Sequence, residues 1–215
     1  MSGIEYLNSM SISALSEIAS IGCGNAVSAL SRLLNRRIDM SVPLVNILDF
    51  KDIANFIGGG EAAVVGVFVG ISGDINGMMM FLLKRDSAET LLRELLAPDQ
   101  TSSRTLSPAG RDPLDMTELE LSALTEIGSI LSGSYLSALA GLIGKKISRS
   151  VPSAAVDMAN AILSVPAIEF GKAADKVLFI ESVFRTDDID VSGYFMLVPD
   201  MPSLESLLKS LGVGA

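Results

Sequence analysis

The chain has 215 residues and a formal net charge of −9 at pH 7, with 49% hydrophobic and 19% charged residues. This composition is typical of a globular protein that can bury a sizeable core. The sequence contains no histidine and one cysteine, Cys23, which excludes histidine-based catalysis, histidine zinc sites and an intrachain disulfide. Because no basic cluster offsets the acidic balance, nucleic acid is disfavoured as a partner.

The N-terminal sequence lacks the basic flank and apolar core of a signal peptide. No apolar run reaches the roughly 18 residues that are needed to span a bilayer. We therefore expect a cytoplasmic protein without a membrane partner.

The first predicted element belongs to a segment that occurs twice. Residues 13–43 and 122–152 align without a gap at an offset of 109 (122 − 13 and 152 − 43), and 16 of the 31 aligned positions are identical. Two copies are too few for a solenoid, so they predict one domain of two similar halves around a pseudo-two-fold axis. A site on the first copy should have a counterpart on the second.

In the first half, helical periodicity over residues 9–35 predicts a long helix. Its inner face contains small residues that would allow close packing: Ala19, Gly22, Ala26 and Ala29. A strand is predicted over residues 38–48, and Pro43 within it indicates an edge or a bend. Residues 62–69 and 78–83 form a predicted hairpin with a turn at 73–77, and residues 87–96 form a short helix.

Residues 98–115 are rich in Pro, Ser, Asp and Gly and predict an exposed linker. The second half then repeats the order of the first. A capping box at Thr117 begins the second long helix, whose inner face runs from Leu124 to Leu142. A strand from Ile147 ends near Pro152, a hairpin covers residues 176–199, and a helix covers 201–211. The composition of residues 154–163 predicts an additional helix that has no predicted counterpart in the first half.

Together these elements predict an α+β fold and a single domain over residues 1–215, with halves at 9–97 and 116–215. Each half is a helix–strand–strand–strand unit. We expect a mostly antiparallel sheet of about six strands with the two long helices packed on it.

Small and polar residues form an outer stripe on each long helix, spaced i, i+4, i+7 and i+11. The stripes are Ser13, Glu17, Ser20 and Gly24 in the first copy and Ser122, Glu126, Ser129 and Gly133 in the second. Polar residues on an outer helix face are usually plain solvated surface. Recurrence of the same residues, on a face that stays small, favours instead a surface that a partner can approach closely.

The repeated segments also share the pattern S-x3-E-x2-S-x22-P. Its residues are Ser13, Glu17, Ser20 and Pro43, and again Ser122, Glu126, Ser129 and Pro152. This pattern closely resembles D/S-x3-E-x2-N-x22-P, the signature of the CheC/CheX/FliY family of chemotaxis phosphatases. The duplication and the length are most similar to the CheC branch of that family.

The resemblance implies a phosphatase that acts on the phosphorylated response regulator CheY. It implies that Glu17 and Glu126 pair with the regulator's active-site lysine, and that Ser20 and Ser129 occupy the place of an asparagine that orients the attacking water. The remaining pattern residues would support the site. The resemblance implies no metal ligand on this chain, since Mg²⁺ would come with the partner. Positioning a water in line is a sufficient contribution to phosphoryl transfer.

Both asparagines of the signature are serine in this chain. A serine hydroxyl can donate and accept hydrogen bonds, but it reaches less far than a carboxamide. Loss of one orienting group commonly lowers a rate on the order of 10²–10³-fold. A second hypothesis is therefore a weakly catalytic module that binds phosphorylated CheY or the receptor deamidase CheD. A third, a FliY-type component of the flagellar switch, is disfavoured because those proteins resemble the chain only in part.

The resemblance also implies that CheD docks on the helix added in the second half. That segment would be residues 154–163, with Asp157 as a candidate contact. The alternative is that its apolar residues simply pack on the sheet.

Overall fold

The computed structural model describes residues 9–34, 37–96, 112–170, 176–185 and 190–210. Both long helices and both hairpins are found where the sequence predicts them. In chain order the elements are α1 (Ser9–Leu34), β1 (Asp39–Met40), β2 (Leu44–Asp49), α2 (Phe50–Phe56), β3 (Ala63–Gly73), β4 (Gly77–Lys84), α3 (Arg85–Leu96), α4 (Glu118–Ile143), β5 (Ile147–Arg149), β6 (Ser153–Met158), α5 (Ala159–Phe170), β7 (Lys176–Arg185), β8 (Asp190–Pro199) and α6 (Met201–Ser210). Most of the predicted linker lies outside the described residues.

The strands form one sheet in the order β1-β7-β8-β4-β3-β5, with β2 also paired to β7 and β6 also paired to β3. Every strand pair among the described residues is antiparallel. Since β1 and β2 share one edge and β5 and β6 share the other, eight strands occupy six positions. The α+β class and the antiparallel sheet are confirmed.

The two halves exchange their edge strands. Strands β1 and β2 of the first half pair with β7 of the second, while β5 and β6 of the second half pair with β3 of the first. Strands β4 and β8 meet at the centre. The strand order is therefore the same from either edge, as the internal repeat predicts.

Each edge is interrupted at the repeated Ser-Val-Pro sequence, which separates β1 from β2 and β5 from β6. The serine continues the pairing across the break. Ser41 Oγ accepts a hydrogen bond from the Val183 N–H at 3.2 Å, and Ser150 Oγ accepts one from the Gly70 N–H at 2.9 Å. The prediction that the two prolines lie on edges is confirmed, because proline cannot donate to a ladder.

The predicted helix over residues 154–163 is wrong in its first half. Residues 153–158 form β6, and α5 begins only at Ala159. The first half has a counterpart that the sequence analysis missed, α2, which begins at Phe50, again at an offset of 109 (159 − 50). Helix α5 is therefore a longer version of α2. Pairing of β6 with β3 determines the conformation of this segment, whose small apolar residues suit a helix by propensity alone.

Helices cover both faces of the sheet. Helices α1, α3, α4 and α6 contribute to the core on one face, and α2 and α5 to the core on the other. Strand β4 lies between the two cores, and Met79, Met80 and Phe81 in it are almost fully buried. This burial on both faces explains why β4 is a continuous apolar run rather than an alternating one.

Helices α1 and α4 pack directly against each other. Tyr135 of α4 is fully buried and stacks on Phe195 of β8, with ring centroids 6.0 Å apart. A Cβ on Gly22 would lie 2.5 Å from Cδ2 of Tyr135, so the contact requires glycine there. Close packing on the inner face is thus confirmed. Near the end of α4, however, Leu142 is 47% exposed, and the buried positions are Leu139 and Ile143.

Helix α4 is the one described helix that is long and apolar enough to cross a membrane. Ten of its residues are buried in the fold, where the helix packs against α1 and the sheet. Its apolar composition is therefore explained by its place in the core.

Two glycines of α1 should respond oppositely to alanine. Gly22→Ala would overlap the Tyr135 ring, and overpacking typically costs about 1–3 kcal/mol, which outweighs a helix-propensity gain of about 1 kcal/mol. At Gly24 no atom of the residues that the structure describes lies within 4 Å of the new Cβ, so the gain should remain. Urea unfolding should show Gly22→Ala less stable and Gly24→Ala more stable than wild type. Equal shifts would contradict close contact at Gly22.

The Tyr135 hydroxyl is buried and has no hydrogen-bond partner among the described residues. Burial raises the pKa of Tyr135 well above its ordinary value, and the nearby Cys23 adds to this effect. The folded protein keeps this phenol neutral, whereas the unfolded chain ionises it above its ordinary pKa of about 10. The free energy of unfolding therefore falls as the pH rises past that value.

Tyr135→Phe removes this unsatisfied group and should raise the free energy of unfolding by about 1 kcal/mol at neutral pH. The advantage of the variant should grow above about pH 10, because the wild type then has one more buried phenol that ionises on unfolding. Urea unfolding of both proteins across that range measures the difference. A variant that is less stable than wild type both at neutral pH and above pH 10 would show that the Tyr135 hydroxyl has a hydrogen-bond partner.

Candidate functional site

The outer stripes lie on α1 and α4 as the repeat predicts. Glu17 and Glu126 are both exposed, while Ser20 and Ser129, one turn further along each helix, are half-buried. Each carboxylate is therefore accessible to a docking protein, and each hydroxyl lies lower on the same surface. The catalytic roles of these four residues stay predictions, and so do the supporting roles of the serines that begin each stripe.

The start of α4 fixes the position of its stripe along the chain. Thr117 is the N-cap, and its Oγ1 accepts a hydrogen bond from the Glu120 N–H at 3.2 Å. Glu120 in turn accepts a hydrogen bond from the Thr117 N–H at 2.7 Å. This capping box confirms the sequence prediction and places Ser122 and Glu126 within the first turns of the helix.

The second stripe has a neighbour that the sequence analysis missed, Arg149 of β5. Its Nη1 donates hydrogen bonds to the main-chain oxygen of Ser129 at 2.7 Å and to Ser129 Oγ at 3.3 Å. A Cβ on Gly133 would lie 2.6 Å from the same nitrogen, so glycine makes room for the guanidinium over the helix. The sequence contained one sign of this difference. Arg149 aligns with Met40 of the first copy, so the two copies differ in charge at this position.

An open groove of about 780 Å³ runs beside this second stripe, between α1, α4 and β5. Its lining is mixed, and its polar residues include Asn25, Ser28, Arg32, Ser129, Ser137 and Arg149. Arg32 donates from Nε to the main-chain oxygen of Ser28 at 3.2 Å. The groove thus contains two arginines in a protein of strongly negative net charge.

Cys23 is not a candidate nucleophile. The residue is fully buried on the inner side of α1, and its Sγ lies 3.4 Å from Ser182 Oγ. Burial raises the pKa of the thiol, and the hydrogen bond with Ser182 opposes this effect only in part. The thiol is therefore protonated and inaccessible at neutral pH.

The candidate contact Asp157 lies in β6 at a sheet edge, and not in a helix as predicted. Its side chain is exposed, and Oδ1 accepts a hydrogen bond from the Met158 N–H at 2.7 Å. Helix α5 begins two residues later, so a partner on that helix could still reach Asp157. Among the described residues, no three acidic or cysteine side chains are grouped closely enough to hold a metal ion.

Two segments of the chain, residues 10–47 and 119–156, match the model of the CheC-like family. Their offset is again 109 (119 − 10 and 156 − 47), and each contains one whole copy of the repeated pattern. Over 201 residues the chain is 34% identical to the CheY-P phosphatase CheC of Bacillus subtilis (strain 168), covering 92% of each protein. The chain belongs to the CheC-like family. The resemblance drawn from the pattern is thereby confirmed.

More distant proteins share part of the sequence or the fold. The chain is 25% identical over 149 residues to the flagellar motor switch phosphatase FliY of B. subtilis, which covers 69% of this chain and 36% of that protein. The crystal structure of Thermotoga maritima FliY superposes with a TM-score of 0.71 at 20% identity, covering 95% and 98% of the two chains. The FliM middle domain from H. pylori superposes with a TM-score of 0.65 at 11% identity, covering 95% and 99%. At such identities the structural likeness shows the fold alone.

Proposed function

We propose that this CheC-like chain is a phosphatase that hydrolyses the aspartyl phosphate of a CheY-type response regulator. The observation that supports it best is the pair of exposed glutamates, Glu17 and Glu126, each within a segment that matches the family model. The relative with 34% identity is a CheY-P phosphatase. Two equivalent surfaces would give the chain two places at which a regulator can dock.

Each glutamate would serve as the charged anchor of a docked regulator. Glu17 and Glu126 lie on solvent-exposed helix faces, so an ammonium group of the partner can approach either one. When the partner covers the glutamate and its own ammonium group, the ion pair between them lies in a medium of lower dielectric constant, where opposite charges attract more strongly. The anchor would also place the serine one turn away against the reacting phosphorus.

The serine would then orient the attacking water. The Oγ of Ser20 or Ser129 can accept a hydrogen bond from the water while donating one to another oxygen. The water oxygen attacks phosphorus, the bond from phosphorus to the aspartyl oxygen breaks, and inorganic phosphate and a free carboxylate remain. Charge on the phosphoryl oxygens would be neutralised by Mg²⁺ bound to the regulator, so the ion belongs to the partner's site.

A weaker catalyst that chiefly binds its partners is the second candidate. Both orienting residues are serines, and both are half-buried below the exposed glutamates. A short, recessed hydroxyl would hold the water less firmly than a carboxamide at the same position. Such a protein would bind the phosphorylated regulator, or CheD near Asp157, with little hydrolysis.

Replacing both anchors should remove the activity. The variant Glu17→Gln plus Glu126→Gln keeps the shape of each side chain but removes its charge, so docking of the regulator should weaken at both sites. Decay of a phosphorylated CheY-type regulator should be accelerated by wild type and proceed near its spontaneous rate with the double variant. As a control, Glu61→Gln alters an exposed glutamate outside the stripes and should leave the acceleration intact.

Complex formation without any acceleration by wild type would instead identify a binding module. Retention of full acceleration by the double variant would contradict the assigned role of the two glutamates.

Restoring asparagine should raise turnover if the short hydroxyl limits the rate. Ser20→Asn plus Ser129→Asn extends both orienting groups toward the docked phosphoryl group, and a gain of about tenfold or more in kcat is expected from a better placed water. The same decay assay, run over a range of regulator concentrations, separates kcat from KM. An unchanged or lower kcat, in a variant that unfolds like wild type, would count against water orientation from this face.

A further inference from the structure

The two stripes have the same residues, yet the strands beside them differ at one position. Arg149 of β5 aligns with Met40 of β1 at the repeat offset of 109 (149 − 40). In the sheet, Met40 pairs with Phe184 and Arg149 pairs with Ile71, so their partners differ by 113 positions (184 − 71).

Independent contacts give the same correspondence. Ser41 is bonded to Val183 and Ser150 to Gly70, and these partners also differ by 113 positions (183 − 70). The residues next to Met40 and Arg149 thus make matching bonds in the two halves. Met40 and Arg149 therefore occupy equivalent positions, and the chemical difference between them is a real difference between the sites.

Arg149 also reaches over its own stripe. At Gly133 the guanidinium of Arg149 fills the place that a Cβ would take. A thioether has no N–H to donate, so methionine cannot form the bond that Arg149 makes to Ser129. The second site has a charged donor beside its serine, and the residue at the matching position of the first site cannot supply one.

Arg149 also has donors left for a partner. Among the described residues no carboxylate forms an ion pair with it, and its side chain is exposed. Both of its bonds to Ser129 use Nη1, and Nε and Nη2 make no hydrogen bond to any residue that the structure describes. A guanidinium has five N–H donors in a planar fork and suits phosphate oxygens.

Resting on the function proposed above, we propose that Arg149 is a positioning residue for Ser129 and makes the second site the more active of the two. The guanidinium occupies one lone pair of Ser129 Oγ, so the hydroxyl proton and the other lone pair are directed toward the docked group. A charged donor also makes a stronger hydrogen bond than a neutral one and polarises the hydroxyl. Arg149 thereby compensates at one site for the asparagine that both sites lack.

Single-site variants allow the two sites to be measured separately. Glu17→Gln leaves the second site, and Glu126→Gln leaves the first. Adding Arg149→Met to the Glu17→Gln protein should lower kcat by about tenfold or more with little change in KM, since about 1.4 kcal/mol of transition-state stabilisation corresponds to tenfold. Adding it to the Glu126→Gln protein should leave the rate unchanged.

The remaining variants separate positioning from structure. Arg149→Lys, which keeps a charged donor, should restore part of kcat. Met40→Arg in the Glu126→Gln protein should raise the rate of the first site. Arg93→Met, which removes an exposed arginine of α3 that does not line the groove, should leave kcat unchanged. Thermal unfolding of each variant checks that the fold is intact.

The possible outcomes are distinct. If Glu17→Gln retains acceleration and Arg149→Met does not slow it, or slows both backgrounds equally, the role of Arg149 is overturned while the proposed function stands. If Arg149→Met changes KM alone, the residue binds the regulator without positioning Ser129, and the proposal also fails. If wild type does not accelerate decay at all, the proposed function and the role of Arg149 fall together.

Discussion

The structure depends on the close contact between α1 and α4 beneath their outer stripes. Gly22 allows the ring of Tyr135 to lie against α1, and Tyr135 in turn stacks on the central strand β8. Protein interiors are densely packed and tolerate little added volume, so this contact sets the distance between the helices. With their inner faces buried, the two helices present the glutamates and serines of both repeats to solvent. The contact between α1 and α4 therefore determines where the candidate site residues lie.

In the sheet, the two halves are joined by the exchange of their edge strands. Each long helix leads into a strand that pairs with the hairpin of the other half, through a serine that accepts a hydrogen bond from that hairpin. The Ser-Val-Pro end of the repeated pattern thus has a structural explanation in the break at each sheet edge. The glutamates of the pattern, Glu17 and Glu126, are exposed instead, which is consistent with a role toward a partner.

Much of this architecture could be predicted because the sequence contains an internal repeat. Helical periodicity, the capping box at Thr117 and the apolar hairpins located α1, α4 and the paired strands closely. The segment at Phe50 was missed because α2 follows β2 without any turn residue between them. Residues 154–158 were assigned to a helix because their small apolar residues fit one locally, and only pairing with β3 decides the matter. Local preference gives way to tertiary contacts at both places.

The candidate site was predicted in part for the same reason. Periodicity places Glu17 and Glu126 outside, but no sequence pattern shows that Arg149 reaches back over Gly133 to Ser129. That contact exists because β5 lies at the sheet edge beside α4. Comparison of the two copies could only have marked the position as one where they differ in charge.

Docking of the phosphorylated regulator on the outer stripes can be measured by photocrosslinking. A photoreactive side chain at Ile21, which is exposed one turn beyond Glu17, reports on the stripe, and one at exposed Asn55 in α2 reports on the opposite face of the sheet. We expect crosslinks to the phosphorylated regulator from position 21, few to the unphosphorylated form, and none from position 55. Crosslinks that form equally from both positions, or from position 55 alone, would contradict it.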